Sequence, residues 1–183
     1  MKKLFIFAVV LVFFLGTVGI ALAADNPLKA GEKAVHSEFA KMIPKDRIIN
    51  AQQFHKIYEE VMAGKRKAYL IDVRTHPEFY AFHIEGTDHI HAGHVYTIPK
   101  KIKDPNAEIY IFCRTSHRAK YVAGFLYKYG YKNVWLYSEG VVGWAKAGYP
   151  FVNQFTGKFK ILEYRKTPSD AEKSFRIREF HPY

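Results

Sequence analysis

The sequence predicts an α/β fold, a doubly wound parallel sheet with helices on both faces. Three short apolar runs, at 68–73, 108–112 and 133–137, have the composition of strands that are buried on both sides. Helical patterns alternate with these runs, and that order is typical of a parallel sheet. Because 49% of the 183 residues are hydrophobic, the chain can bury one sizeable core, which excludes an intrinsically disordered protein.

The first 23 residues have the pattern of an export signal. Two lysines precede an uninterrupted apolar run at 4–15, and small residues end the segment before Ala24. We therefore expect residues 1–23 to be a signal peptide that is cut after Ala23, and the folded part to be periplasmic. An uncleaved membrane anchor is the alternative, since 4–24 is long enough to span a bilayer.

The domain is expected over 46–153, after a linker at 24–45 that has few large apolar side chains. Asn50 is suited to cap the N-terminus of a helix that Gly64 ends. The apolar residues of that helix recur at intervals of three and four: Phe54, Ile57, Tyr58 and Val61. A second helix is predicted over 119–129.

Residues 154–183 form a basic, aromatic-rich C-terminal extension without clear periodicity. Two interpretations stay open, a segment that covers the domain or docks on a partner, and a partly ordered tail.

The charge balance favours anionic partners. Twenty-eight Lys and Arg against 17 Asp and Glu give a formal net charge of +11. A nucleic-acid partner is not expected, because export separates the protein from nucleic acid and no groove-binding helix is evident. Small anions are the class that fits an exported protein.

The single cysteine, Cys113, directly follows the strand at 108–112. It excludes an intramolecular disulfide, a Cys-rich zinc site and a Cys-x-x-Cys redox couple. A buried core thiol is the common fate of a free cysteine. Arg114 and Arg118 favour a reactive site instead, because an apolar core has no use for them at a strand end. Backbone N–H groups, the helix dipole and these guanidinium groups would stabilise a thiolate and a bound anion.

Several ordered motifs resemble the rhodanese (sulfurtransferase) domain family across about 48–152. They are Asp72-Val73-Arg74 with Glu78-Phe79 and His83-Ile84-Glu85-Gly86, then Cys113-Arg114-Thr115-Ser116-His117-Arg118, then Glu139-Gly140-Val141-Val142-Gly143-Trp144, and Ala147-Gly148-Tyr149-Pro150. The resemblance implies a rhodanese-like, doubly wound single domain. It also implies a sulfurtransferase that needs no cofactor.

The resemblance assigns roles to individual residues. Cys113 would be the catalytic nucleophile and persulfide carrier, and the substrate-binding loop would consist of Arg114, Thr115, Ser116, His117, Arg118 and Ala119. Arg118 would orient the loop and Arg114 would face the donor anion. Arg74 and Glu78 would form an ion pair or brace the loop, and Asp72 would hold the loop by hydrogen bonds.

The implied reaction moves sulfane sulfur from thiosulfate or polysulfide to a thiol, cyanide or another thiophilic acceptor. The export pattern, the lone cysteine and the positive charge are similar to those of periplasmic polysulfide-sulfur transferases. A respiratory or redox protein partner and a homodimer are therefore expected partners. Four residues separate Cys113 from Arg118, whereas cysteine phosphatases place five there, so phosphatase activity is disfavoured.

Three positions depart from the family pattern. Ser116 replaces the usual glycine of the loop, Ala119 replaces a serine, and Phe82 stands where a glycine precedes the histidine. If residue 116 needs a positive φ, its backbone is mildly strained. These departures favour an alternative function, a non-catalytic rhodanese-like module that binds sulfur or a metal for a membrane partner.

A histidine-rich segment follows Gly86, with His89, His91 and His94. This spacing is typical of a transition-metal site, with His83 or His76 within reach. The alternatives are a polar surface loop and a set of imidazoles that attract anions when protonated. We assign no metal ligand from the sequence.

Overall fold

A computed structural model describes residues 26–162. Its core is a five-stranded sheet in the order β1-β5-β4-β2-β3, with every neighbouring pair parallel. The strands are β1 (Ile48–Ile49), β2 (Tyr69–Asp72), β3 (Asp88–His89), β4 (Ile109–Phe112) and β5 (Val134–Tyr137). The predicted parallel sheet is confirmed, and its three longer strands are the three apolar runs. The two edge strands have two residues each, too few to produce a pattern in the sequence.

Residues 26–162 contain six α-helices. They are α1 (Pro27–Lys41), α2 (Ala51–Met62), α3 (His76–Ala81), α4 (Ile98–Lys101), α5 (His117–Tyr129) and α6 (Gly140–Lys146), with 3₁₀ turns at Lys45–Arg47 and Ala92–Thr97. Helix α2 begins with a reciprocal capping box between Asn50 and Gln53. Helix α5 ends at Gly130, which adopts a φ of 100°. Both predicted helices are confirmed.

Side chains alternate between the two faces of the sheet. In β4, Ile109 and Ile111 join the cluster that includes Leu126 of α5. Tyr110 and Phe112 join the opposite cluster, which contains Phe54 of α2 and Trp144 of α6. All four residues of β4 are fully buried, as expected of a central strand covered on both faces.

The segment predicted as a linker, 24–45, contains α1 and is helical over most of its described length. The described residues divide into two compact units, one ending at Ser37 and one beginning at Glu38. In the second unit, Phe39 is buried and lies against Gly124, where an added Cβ would come within 2.4 Å of the Phe39 ring. The composition of the segment did not reveal this, because a single well-placed aromatic residue produces no periodic pattern.

A β-hairpin follows the sheet. Strands β6 (Phe151–Asn153) and β7 (Gly157–Phe159) pair antiparallel, and Val152 also bridges His83. The predicted extension at 154–183 therefore begins inside an ordered hairpin. Its remainder from 163 onward, like the predicted signal peptide, lies outside the described residues. Within 26–162 no helix is both long and apolar enough to cross a membrane.

Candidate functional site

Cys113 lies at the carboxyl end of β4, where ligands bind in open parallel sheets. Its side chain is buried, with 1% of the residue exposed, and it belongs to the same apolar cluster as Val73 and Ala119. The thiol therefore lies beneath the loop that follows it. Any group that reacts with Cys113 must approach through this loop.

The loop between β4 and α5 leaves a set of backbone donors unused. Within residues 26–162, the N–H groups of five loop residues donate to no other group: Arg114, Thr115, Ser116, Arg118 and Ala119. Such a run of N–H groups at the N-terminus of a 13-residue helix is suited to an anion. The arrangement has the chemistry predicted for a persulfide cradle.

The carbonyl groups of the loop are held by α6. The N–H groups of Val141 and Val142 donate to the carbonyl oxygens of Cys113 (3.0 Å) and Arg114 (3.2 Å). This close approach requires Gly140, since a Cβ there would lie 2.2 Å from the Cys113 oxygen. The glycine of the Glu139-Gly140 motif thus fixes the loop, a role that the motif alone did not reveal.

Arg118 connects the cysteine to α3. Its guanidinium donates to both carboxylate oxygens of Glu78, at 2.5 and 2.8 Å, and also hydrogen-bonds the side chain of Cys113. The N–H and hydroxyl of Thr75 donate to the same carboxylate at 3.1 and 2.8 Å. Arg118 is therefore oriented by Glu78 toward the thiol.

These contacts shift the acidity of Glu78. Its partial burial favours the neutral form, but the hydrogen bonds from Arg118 and Thr75 outweigh it and lower the pKa of Glu78 to about 2. The hydrogen bond to Glu78 in turn raises the pKa of Arg118. The pair is ionised throughout the physiological range.

The sequence left open whether Arg74 and Glu78 form an ion pair or brace the loop. The two side chains do not pair with each other. Arg74 instead pairs with Asp72, with 2.8 Å between its Nε and Oδ2, and both side chains are buried. Its second guanidinium nitrogen donates to the carbonyl oxygen of Phe82 at 2.7 Å. Asp72 and Arg74 thus hold the segment between β2 and α3, whereas Glu78 braces the cysteine loop.

Ser116 adopts a left-handed conformation, with φ 74° and ψ −16°, and is the one non-glycine residue with positive φ within 26–162. The family's usual glycine would adopt this conformation without cost. The strain anticipated at this position is present. It lies in the loop that surrounds the reactive thiol.

A cavity of about 430 Å³ lies beside the loop. Its wall combines two arginines and a carboxylate with apolar side chains: Arg74, Pro77, Glu78, Ala81, Phe82, Arg114 and Val141. Arg114 is exposed and lines this cavity, in keeping with its predicted role toward an anion. The apolar part of the wall comes from α3 with its C-terminal neighbour Phe82 and from α6, which are far apart in the sequence.

The remaining loop residues differ in exposure. Thr115 and His117 are exposed, whereas Ala119 is buried beneath the first turn of α5. The His117 ring contacts Tyr121, with 5.7 Å between ring centres.

The histidine segment lies close to the same end of the sheet. The N–H of Ile90 donates to the carbonyl of Asp72, and that of Ala92 donates to the carbonyl of Val73. Burial and the charges of the neighbouring histidines and Arg118 lower the pKa of His91. As the side chains stand, no group of three or more His, Cys, Asp or Glu residues among 26–162 is arranged to hold a metal ion.

The fold has counterparts among solved structures. A polysulfide-sulfur transferase homodimer from Wolinella succinogenes superposes with a TM-score of 0.53 at 21% identity, over 70% of this chain and 91% of that one. A thiosulfate sulfurtransferase from Pseudomonas aeruginosa superposes with a TM-score of 0.52 at 23% identity, over 58% of this chain. The match spans only 20% of the length of that Pseudomonas protein.

A protein of unknown function from Rhodopseudomonas palustris, described as a possible tyrosine phosphatase, has a TM-score of 0.54 at 18% identity. It is covered over 92% of its length and covers 65% of this chain. At these identities the likenesses show a shared fold. The sequence itself matches the profile of the Rhodanese-like domain over residues 52–147, more than half of the chain. The chain therefore belongs to the rhodanese-like domain family.

Proposed function

We propose that this protein is a sulfurtransferase that carries sulfane sulfur as a persulfide on Cys113. The observation that carries the proposal is the loop around Cys113, where five N–H groups have no partner among residues 26–162 and the guanidinium of Arg118 is directed at the sulfur. An apolar core does not need these donors. A terminal anionic sulfur does, because each N–H group can stabilise its charge.

The reaction has two halves. The Cys113 thiolate attacks the outer sulfur of thiosulfate, the bond between the two sulfur atoms breaks, and sulfite leaves with the electron pair. A thiolate or cyanide acceptor then attacks the terminal sulfur of the persulfide and restores the Cys113 thiolate. With polysulfide as donor, the leaving group is the polysulfide shortened by one sulfur atom.

Each loop feature has a part in this scheme. The N–H groups hold the persulfide anion, and Arg118, oriented by Glu78, offsets charge on the sulfur. Arg114 binds the anionic end of the donor in the adjoining cavity. A cavity of about 430 Å³ is larger than thiosulfate needs, which supports an extended donor or an organic thiol acceptor.

Intact mass spectrometry tests this proposal. The reduced protein is exposed briefly to thiosulfate and, separately, to polysulfide, with Cys113→Ser as the control. We expect a gain of about 32 mass units per sulfur atom that is absent from the variant. No gain from either donor would contradict the proposal.

The second candidate is a non-catalytic module that binds sulfur for a partner. The burial of Cys113 favours it, because a buried sulfur is less accessible to an external acceptor. This candidate predicts stoichiometric loading of Cys113 without turnover. Repeated formation of thiocyanate from thiosulfate and cyanide would exclude it.

The location and the partners are further proposals. The basic start and apolar run at 1–23 support export to a periplasm, and the mass of the protein recovered from a periplasmic fraction would test cleavage after Ala23. The likeness to a polysulfide-sulfur transferase homodimer supports a dimer, which light scattering would test. A respiratory or redox protein is the proposed acceptor.

A further inference from the structure

Four imidazole rings meet beside the cysteine loop, although they come from three different elements. His76 starts α3 and His89 ends β3. His91 immediately precedes the 3₁₀ turn Ala92–Thr97, and His94 lies within that turn. The ring centres of His76 lie 4.8 Å from His89, 5.9 Å from His91 and 6.3 Å from His94. The sequence pattern left His83 or His76 as a further member, and His76 is the one of the two that lies against these rings.

His89 is fixed by its neighbours. Its Nε2 lies 2.9 Å from the carbonyl oxygen of Arg74, so Nε2 carries the proton and donates it. Its ring also stacks on Phe79, with 4.3 Å between ring centres and an angle of 9°. The ring of His89 is therefore held in place on one side of the cluster. His76, His91 and His94 form the more accessible part.

Those three rings form a nearly equilateral triangle. The sides are 5.9 Å (His76 to His91), 6.3 Å (His76 to His94) and 5.7 Å (His91 to His94). A point equidistant from the three ring centres lies about 3.5 Å from each, whereas imidazoles that bind zinc at about 2.1 Å have ring centres about 3.2 Å from the ion. A shift of a few tenths of an ångström would close the difference.

The nitrogen atoms do not yet converge on that point. The terminal torsion of a histidine is broad, however, so the rings can turn without a change in the backbone. Gly93 leaves room beside His91, since a Cβ there would lie 3.2 Å from the His91 ring. His76 and His94 are exposed and His91 is half-buried, so an ion can enter from solvent.

We propose that His76, His91 and His94 bind one divalent transition-metal ion of the class that prefers imidazole ligands, such as Zn²⁺, Ni²⁺ or Cu²⁺. The nearest acidic side chain of α3, Glu78, is committed to Arg118 and is not needed as a ligand. The site does not depend on sulfur transfer.

Zinc titration by calorimetry tests the site in the Cys113→Ser background, which removes the thiol as a competing ligand. We expect one equivalent of zinc to bind, and the affinity to fall at least about tenfold in His76→Gln and in His94→Gln. His55→Gln is the matched control. The ring of His55 stacks on Tyr149, which is not part of the cluster, so this substitution should leave the affinity unchanged.

Cobalt(II) gives a second readout, because its visible absorption reports the number and geometry of its ligands. We expect a spectrum of a nitrogen-ligated ion that is lost in the double variant His76→Gln, His94→Gln. Failure of the protein to bind either metal would overturn the proposal. Undiminished binding by the double variant, with an unchanged thermal unfolding temperature, would also overturn it.

Discussion

Arg118 and Glu78 are joined by two hydrogen bonds across 40 positions of the chain. The first residue lies in the opening turn of α5 and the second in α3, so the pair ties the cysteine loop to the segment after β2. Each side chain is 31% exposed, and solvent screens the pair only in part. The orientation of the guanidinium at Cys113 therefore depends on the Glu78 carboxylate.

Removal of this carboxylate should weaken both the fold and the reaction. We expect Glu78→Gln to lower the free energy of unfolding by about 2 kcal/mol, because charge-assisted hydrogen bonds are lost at a half-buried site. Urea unfolding measures this loss. Glu85→Gln is the control, since Glu85 pairs with Lys158 at an exposed position and should cost less than about 0.5 kcal/mol.

The same variant should slow the alkylation of Cys113 and sulfur loading onto it. Arg118 would no longer be held toward the thiol, so the anionic form of the sulfur would be less well stabilised. Rates of loading from thiosulfate, measured by mass spectrometry, should fall relative to the wild type. An unchanged rate would mean that Glu78 has a purely structural role.

Acid should destabilise the protein through Glu78. The pKa of this group is about 2 in the folded protein against an ordinary value of 4.5, so the unfolded chain takes up the proton first as the pH falls. The stability that the pair contributes is complete above pH of about 5 and is lost progressively toward pH 2. The difference in unfolding free energy between the wild type and Glu78→Gln should therefore shrink over this interval. A difference that stays constant from pH 6 to pH 3 would contradict this account.

Ser116→Gly should stabilise the cysteine loop. A left-handed conformation costs an L-residue about 1 kcal/mol, and glycine adopts it freely. The gain should be partly offset by the entropy of the unfolded chain, which leaves a net increase of about 0.5 kcal/mol in thermal or urea unfolding. Ser116→Val, with a branched Cβ at φ 74°, should be destabilising by more than about 1 kcal/mol.

Gly140→Ala should disrupt the loop far more than Gly148→Ala. Both glycines have positive φ, 57° and 74°, so both substitutions introduce comparable backbone strain. Only at Gly140 would the added Cβ meet the Cys113 and Arg114 carbonyl groups, whereas nothing lies within 4 Å at Gly148. We expect Gly140→Ala to cost at least about 2 kcal/mol more in urea unfolding. Equal losses would show that the approach of α6 to the loop is not tight.

Phe39→Ala should destabilise the α/β unit by about 3 kcal/mol, because it removes a buried ring that packs against Phe125 at 4.6 Å and over Gly124. Leu28→Ala, at a residue that is 79% exposed, should have little effect on thermal unfolding. A small effect of Phe39→Ala would contradict this account of the packing.

Much of the fold could be predicted because its pattern is local. The apolar runs that became β2, β4 and β5 need only their own residues to be recognised, and Asn50 and Gly130 mark helix ends by their own conformational preferences. The edge strands and the hairpin β6–β7 were missed, since two or three residues carry no periodicity. Phe39 was missed for the same reason.

The candidate site could be predicted from the sequence only in part. Order and spacing along the chain show that a lone cysteine follows a buried strand, that two arginines flank its loop, and that several histidines follow Gly86. The partners of the charged side chains could not be read in this way: Glu78 binds Arg118, 40 positions away, while Arg74 binds Asp72, and His76 lies beside His91 and His94. These pairings depend on how separate strand ends and helices pack together, and no local pattern specifies that packing.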